Sequence, residues 1–461
     1  MEAHGIEPVS DVERRGRVTD LFWIWFAANI GLLGLVYGAI AVSFGLNFWQ
    51  GLLAIVGGAL SFLLVGVFTV AGRDGGAPMM TLSRAVFGIY GNILPNIVSW
   101  LSLVGWETIS VITGTLALMA LFGIFVHFPL DVSAIISMVL MLGLTILFGF
   151  LGQATLVVVQ TWASYLFGVL TLVVIAMLVG HTNWTALWHH PAGSWLTGFL
   201  PALSIIIAGT GLSWANAAAD YSRYIPRSAP RSHILWSSTL GAVIPLVVLM
   251  VAGMLFATGQ PELSSSANPI AVIERALPPW MGVPYLLTAA GGLIAEADLS
   301  LYSSGLNLLN MFVPLPRYKT VLIDAAIMIA GTIYVVLVAQ NFFGPFESFI
   351  LLLGVGLAAW AGIFLIDQIL FHREIYRATD MYPNLKAKRF RWCAVFAWLL
   401  AVAIGLLFTT SPFFTGPLAK GIFANSSLEL LIAFALGLTL YLVLMAVNTR
   451  IVSRRSGAGI R

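Results

Sequence analysis

The chain has 461 residues, of which 59% are hydrophobic and only 9% charged. A soluble globular protein carries roughly 25% charged residues, so this composition excludes a soluble enzyme, a disordered chain and a nucleic-acid-binding domain. The net charge of +3 decides little, because in a membrane protein the placement of Lys and Arg matters rather than their sum. One cysteine, Cys393, excludes an intramolecular disulfide and any multi-cysteine metal site.

The first twenty residues are polar and lack the pattern of a cleavable signal, so the first apolar run is expected to remain as a helix. A bilayer core of roughly 30 Å needs about 20 apolar residues per helix. Twelve spans are predicted, over 21–44, 47–72, 93–125, 132–152, 155–180, 195–219, 234–258, 282–311, 320–341, 345–370, 390–410 and 426–448. Runs such as LLLGVGLAAWAGIFLI do not alternate, which excludes barrel strands. With the N-terminus inside, twenty of the 22 Lys and Arg residues fall on the inner side, and only Arg275 and Lys420 fall outside. That asymmetry predicts a multi-pass plasma-membrane protein with both termini cytoplasmic. The stretch NPIAVIERAL, from Asn268, reads as an amphipathic helix at the outer interface. No G-x-x-x-x-G-K-[ST] motif occurs, which argues against transport powered directly by ATP.

Span 1 (FWIWFAANIGLLGLVYG) carries Asn29 at mid-depth, followed by Gly31, Gly34 and Gly38. Span 6 gathers Gly209, Thr210, Gly211, Ser213 and Asn216 in one short stretch. Such glycines serve either close helix packing or unwinding around a substrate site. Their occurrence in spans five apart favours unwinding in an inverted repeat.

Ionisable and polar groups at depth are costly and mark function. In span 3, Trp106 and Ser110 are four apart and share one face, an aromatic shelf beside a hydroxyl that suits a flat ligand. The alternative is Trp106 packed between helices and Ser110 bonded to its own backbone. Glu107 points about 100° away and reaches either the site or a neighbouring helix. In span 8, Glu296 shares a face with Ser300 and Ser303, whereas Asp298 shares one with Tyr302. No Lys or Arg is expected at their depth, so each carboxyl is protonated, hydrogen-bonded to neutral groups or holding a cation. Asp220 and Arg223, three apart at the inner end of span 6, fit a helical ion pair. His181, His189 and His190 fall in a solvated outer loop.

The runs FWIWFAANIG, GWETIS, AADYSRY and LYSSGLNL, in that order, resemble the nucleobase–cation symporters, the family of cytosine and purine permeases and of hydantoin and allantoin transporters. The likeness spans the whole chain. It implies a leucine-transporter-like all-α fold of two inverted five-helix repeats, over 21–180 and 195–370, with broken helices 1 and 6. Two additional helices would follow over 390–448, with cytoplasmic tails over 1–20 and 449–461. It implies a small heterocyclic base as substrate, bound by Trp106, Ser110, Gly211, Ser213 and Trp214 together with Asn29 and Glu296. It also implies a co-transported proton or sodium ion and no other cofactor, with Glu296, Asp298, Gly31, Ala295 and Glu107 as candidate coupling residues. Sodium-coupled relatives place adjacent hydroxyl residues where this chain has Ala295 and Glu296. A sodium ion near Asn29 and Ala295 would therefore lack ligands, which favours a proton. The competing readings are a symporter of another small solute, a channel and a membrane-embedded enzyme. The last would call for a clustered nucleophile, base or metal set, such as a histidine pair on a helix, and no histidine lies within the predicted spans. Oligomeric state stays open.

Overall fold

A computed structural model describes residues 5–31, 33–126, 129–150, 153–266, 268–339, 343–372, 376–383 and 387–455. Of the basic residues placed on the inner side, Arg373, Lys386 and Arg461 lie outside the described residues, as does the end of the C-terminal tail from 456.

The architecture is helical. Helices α1 (Val18–Asn29) and α2 (Leu33–Ser43) cover the first predicted span and are inclined to each other by 58°. The second span is α3 (Phe48–Ala59) and α4 (Phe62–Gly75), joined through Leu60 and Ser61. A short α5 (Met79–Phe87) leads to α6 (Ile93–Phe125), whose 33 residues run about 50 Å. Helices α7 (Leu130–Gly149) and α8 (Gln153–Val179) complete the first half. After a short α9 (Trp184–His189), the sixth span is segmented into a π-turn, α10 (Leu200–Ile207), a second π-turn over Ala208–Leu212 and α11 (Ser213–Ala215).

The second half continues through α12 (Arg231–Gly259), α13 (Pro269–Ala276), α14 (Pro279–Asn310), α15 (Arg317–Ile333) and α16 (Phe343–Asp367). The one-turn helix α17 (Ala378–Met381), α18 (Trp392–Phe408) and α19 (Glu429–Arg455) follow. A two-residue hairpin, β1 (Thr410–Ser411) and β2 (Phe414–Thr415), joins the last two long helices. Among the described residues nine helices are long and apolar enough to cross a membrane, and α1 with α2 form a tenth, bent candidate. Helix α14 carries Glu296, Asp298, three serines and two asparagines in its second half, and α18 has only 17 residues, so neither is among those ten.

Small residues set the closest approaches. A Cβ on Gly38 would overlap the Met250 carbonyl of α12, and one on Gly253 would overlap the Leu35 carbonyl of α2, so these two backbones touch directly. The main packing pairs are α6 with α14, α2 and α1 with α12, and α16 with α19. Trp106, Phe346, Trp360 and Phe364 belong to one buried cluster.

The N-terminal segment, expected as a tail, is packed against the bundle. Val9 N–H donates to the Gly76 carbonyl at 2.8 Å, and Arg14 is buried with its guanidinium on the carbonyls of Val9 and Arg73. Arg223 donates to the Gly5 carbonyl at 2.6 Å. Arg84 of α5 donates to the carbonyls of Asn310 and Met381, and its burial lowers the guanidinium to about 10.

Candidate functional site

The sixth span departs from helical geometry at Thr210, with φ −123° and ψ −106°. Side chains answer the freed backbone groups. Thr210 Oγ1 donates to the Ile206 carbonyl at 2.6 Å, and Ser213 Oγ donates to the Thr210 carbonyl at 2.9 Å. Gly211 N–H donates to Ser61 Oγ at 3.0 Å, and Tyr37 Oη donates to the Gly209 carbonyl at 3.2 Å. A Cβ on Gly211 would overlap Ser61, so this glycine packs on the α3–α4 junction. Of the three ligand positions expected in this span, Gly211 and Ser213 spend their polar groups on the break. Trp214 is a buried ring set edge-on to Trp25 at 5.6 Å.

The end of α1 is treated differently. Asn29 donates its amide to the Trp25 carbonyl at 2.8 Å, leaving its oxygen as the group that can face a ligand. Gly31 faces α14, where Glu296 Oε2 lies 3.7 Å from the place a Cβ would occupy. Glu296 is buried and acts electrostatically on Tyr37. A cavity of about 30 Å³ borders this point, lined by Gly31, Phe167, Thr171, Tyr285 and Gly292 among others. That volume holds a water molecule or a small ion. Next to Glu296, the Ala295 carbonyl already accepts from Gln160 Nε2 of α8 at 2.7 Å.

Trp106 stands edge-on to Phe346 (6.1 Å) and Phe349 (5.8 Å) of α16, and Phe346 reaches Tyr37 at 6.0 Å. The Trp106 indole N–H and the Ser110 hydroxyl are both buried without a hydrogen-bond partner among the described residues. Ser110 therefore does not bond its own backbone, the structural alternative weighed from the sequence. Among the described residues Trp106 and Trp214 make no ring contact with each other: Trp106 meets Phe346 and Phe349, and Trp214 meets Trp25.

Asp298 is buried on the α8 side of α14 and lines a largely apolar cleft with Ala163, Phe167 and Gly291. Arg317 acts electrostatically on Asp298, which corrects the expectation that this carboxyl has no basic neighbour. Arg317 and Arg223 both approach the Tyr302 ring one turn further along. Residues 216–224, which hold Asp220 and Arg223, form turns, and Arg223 acts electrostatically on Asp220. Asp220 also accepts from Met79 N–H at 2.7 Å, and Arg223 donates to Tyr302 Oη at 2.7 Å.

Several polar partners at depth are not legible in the sequence. Asn216, part of the polar stretch of span 6, and Asn307 both donate to Ser99 Oγ, at 2.9 and 2.8 Å, tying the sixth span and α14 to α6. Gln160, Ser61 and Asp324 carry the same lesson, since no local spacing announces a partner more than a hundred residues away.

The family of permeases for cytosine/purines, uracil, thiamine and allantoin matches residues 8–445. The chain belongs to this family. It is therefore a membrane permease and not an enzyme. "Putative purine-cytosine permease YxlA" of Bacillus subtilis is 28% identical over 96% of both chains. Purine-cytosine permease FCY22 of Saccharomyces cerevisiae is 26% identical over 88% of this chain and 79% of its own. In fold the chain is similar to Mhp1, a nucleobase-cation-symport-1 family transporter solved closed with bromovinylhydantoin bound, at TM-score 0.73 and 18% identity over 99% and 96% of the two chains. A sodium-coupled sialic acid symporter is similar at TM-score 0.63 and 13% identity, over 95% and 92%. These likenesses give the permease a leucine-transporter-like arrangement of apolar helices.

Proposed function

We infer that this permease is a secondary active importer of a nucleobase such as cytosine or a purine, working by alternating access and coupled to a proton. The observation that carries the coupling is the juxtaposition of Glu296 with Gly31, beside an Ala295 carbonyl already capped by Gln160. A sodium ion requires several free oxygens, and here one backbone oxygen is taken and the neighbouring side chain is a methyl. A carboxyl at the same place loads and unloads a proton without that oxygen cage. Uncapped, the carboxylate opposes closure of the end of α1 onto α14. Protonation removes that opposition, so proton binding and closure favour each other.

The base lies between the ends of α1 and α2 and the sixth span, stacked on Trp106, with Trp214 closing the opposite side. The unpartnered Ser110 hydroxyl and the Asn29 oxygen supply edge hydrogen bonds. Twelve spans, breaks in spans 1 and 6, two five-span repeats over 21–180 and 195–370, two further spans over 390–448 and cytoplasmic termini in the plasma membrane complete the reading. The charge asymmetry and the Thr210 backbone support it. A hydantoin, allantoin or vitamin on the same fold is the second reading, favoured by the fold likeness to hydantoin-bound Mhp1. Binding of labelled cytosine, adenine, hypoxanthine, uracil, allantoin and a hydantoin to the purified protein separates the two. Saturable binding of a base supports the first, and binding of only a hydantoin or allantoin supports the second.

A further inference from the structure

Glu107 does not face the Glu296 gap. It is fully buried on the side of α6 that packs on α14 and α15, and neither carboxyl oxygen has a hydrogen-bond partner among the described residues. Asp324 of α15, also fully buried, acts on it electrostatically. Asp324 is supplied with donors on both oxygens: Trp100 Nε1 of α6 at 2.9 Å and Ser304 Oγ of α14 at 2.8 Å. Ser304 is also close enough to Glu107 to interact with it, short of hydrogen-bond geometry. Two carboxyls from two helices thus meet at a hydroxyl from a third.

Among the described residues no Lys or Arg acts on either carboxyl. Tyr221, whose hydroxyl is bonded to Leu299 and Ser303, also interacts electrostatically with Glu107. Asp220 and Asp298 act on Tyr221 from its other sides. Two adjacent carboxylates without a cation cannot both stay charged in such surroundings. Asp324, with two donors, is the natural charged member. Glu107, with none, is the natural holder of the proton, since only a protonated carboxyl can itself donate.

We propose that Glu107, Ser304 and Asp324 form a proton-binding site in the seam between α6, α14 and α15, apart from the Glu296 gap, in which one proton is shared between the two carboxyls. Glu107 follows Trp106 directly in α6. Loss of its proton places two like charges in the seam that holds the helix bearing Trp106. The site does not depend on which solute is carried.

The test is infrared spectroscopy of the purified protein in lipid, comparing protonated-carboxyl bands among wild type, Glu107→Gln, Asp324→Asn, Ser304→Ala and Glu296→Gln. Glu107→Gln is expected to lose one band, which Asp324→Asn and Ser304→Ala shift in frequency and Glu296→Gln leaves in place. An unchanged set of bands in Glu107→Gln shows that Glu107 is charged and overturns the proposal. An unshifted band in both Asp324→Asn and Ser304→Ala shows an isolated acid and overturns the shared site. If Glu107→Gln does not fold, the shifts in the other two variants decide.

Discussion

The two interrupted spans resolve the same problem in opposite ways. At Thr210 the freed groups are answered from within: Ser61, Thr210, Ser213 and Tyr37 bond the local backbone, and Gly211 is pressed onto the α3–α4 junction. At the end of α1 the comparable bond among the described residues is Asn29 to Trp25, and Gly31 borders a small cavity and the buried Glu296 carboxyl. The first is braced, so its glycines serve packing. The second leaves room and an ionisable group, which is what binding and coupling require.

The largest expected effect falls on the open break. Glu296→Gln should abolish accumulation driven by a pH gradient in proteoliposomes while counterflow exchange of the base persists. Retained pH-driven accumulation would move coupling to another carboxyl. Trp106→Ala should weaken base binding by roughly 5- to 150-fold, from a stacking contribution of about 1–3 kcal/mol per base. Equilibrium binding to folded protein measures it, and unchanged affinity would remove the stacking role.

Substitutions at the glycines sharpen the contrast. Gly211→Ala forces a methyl into Ser61 and should cost about 1–3 kcal/mol of stability, read as a lowered unfolding temperature. Gly31→Ala meets Glu296 at 3.7 Å, an ordinary contact, and should leave that temperature nearly unchanged. Equal losses would erase the distinction between the two breaks. The smallest effect belongs to Ser61→Ala, which removes the hydroxyl accepting from Gly211 N–H. About 1 kcal/mol is expected for that bond, with transport retained.

Much of the fold was legible in the sequence because lipid imposes a simple requirement, a long apolar run per helix, and the runs are here. The polar partners were far less legible. WETIS marks Glu107 as buried and costly, yet its partner Asp324 sits in RYKTVLIDAAIM, near a cluster of basic residues where an aspartate looks like an interfacial group. Gln160 in α8 reads as an ordinary helix former until Ala295 is placed beside it. Span 6 was legible as a polar, glycine-rich anomaly. That Gly211 and Ser213 would bind Ser61 and their own backbone depends on how α3 and α4 meet at Leu60 and Ser61, which local sequence does not encode.

Uptake of labelled cytosine and purines into proteoliposomes, under an imposed proton gradient and separately under an imposed sodium gradient, separates proton from sodium coupling. Concentrative uptake of a base is expected under the proton gradient and unchanged by sodium. Accumulation that follows sodium and ignores the proton gradient would rule out the proton-coupled importer.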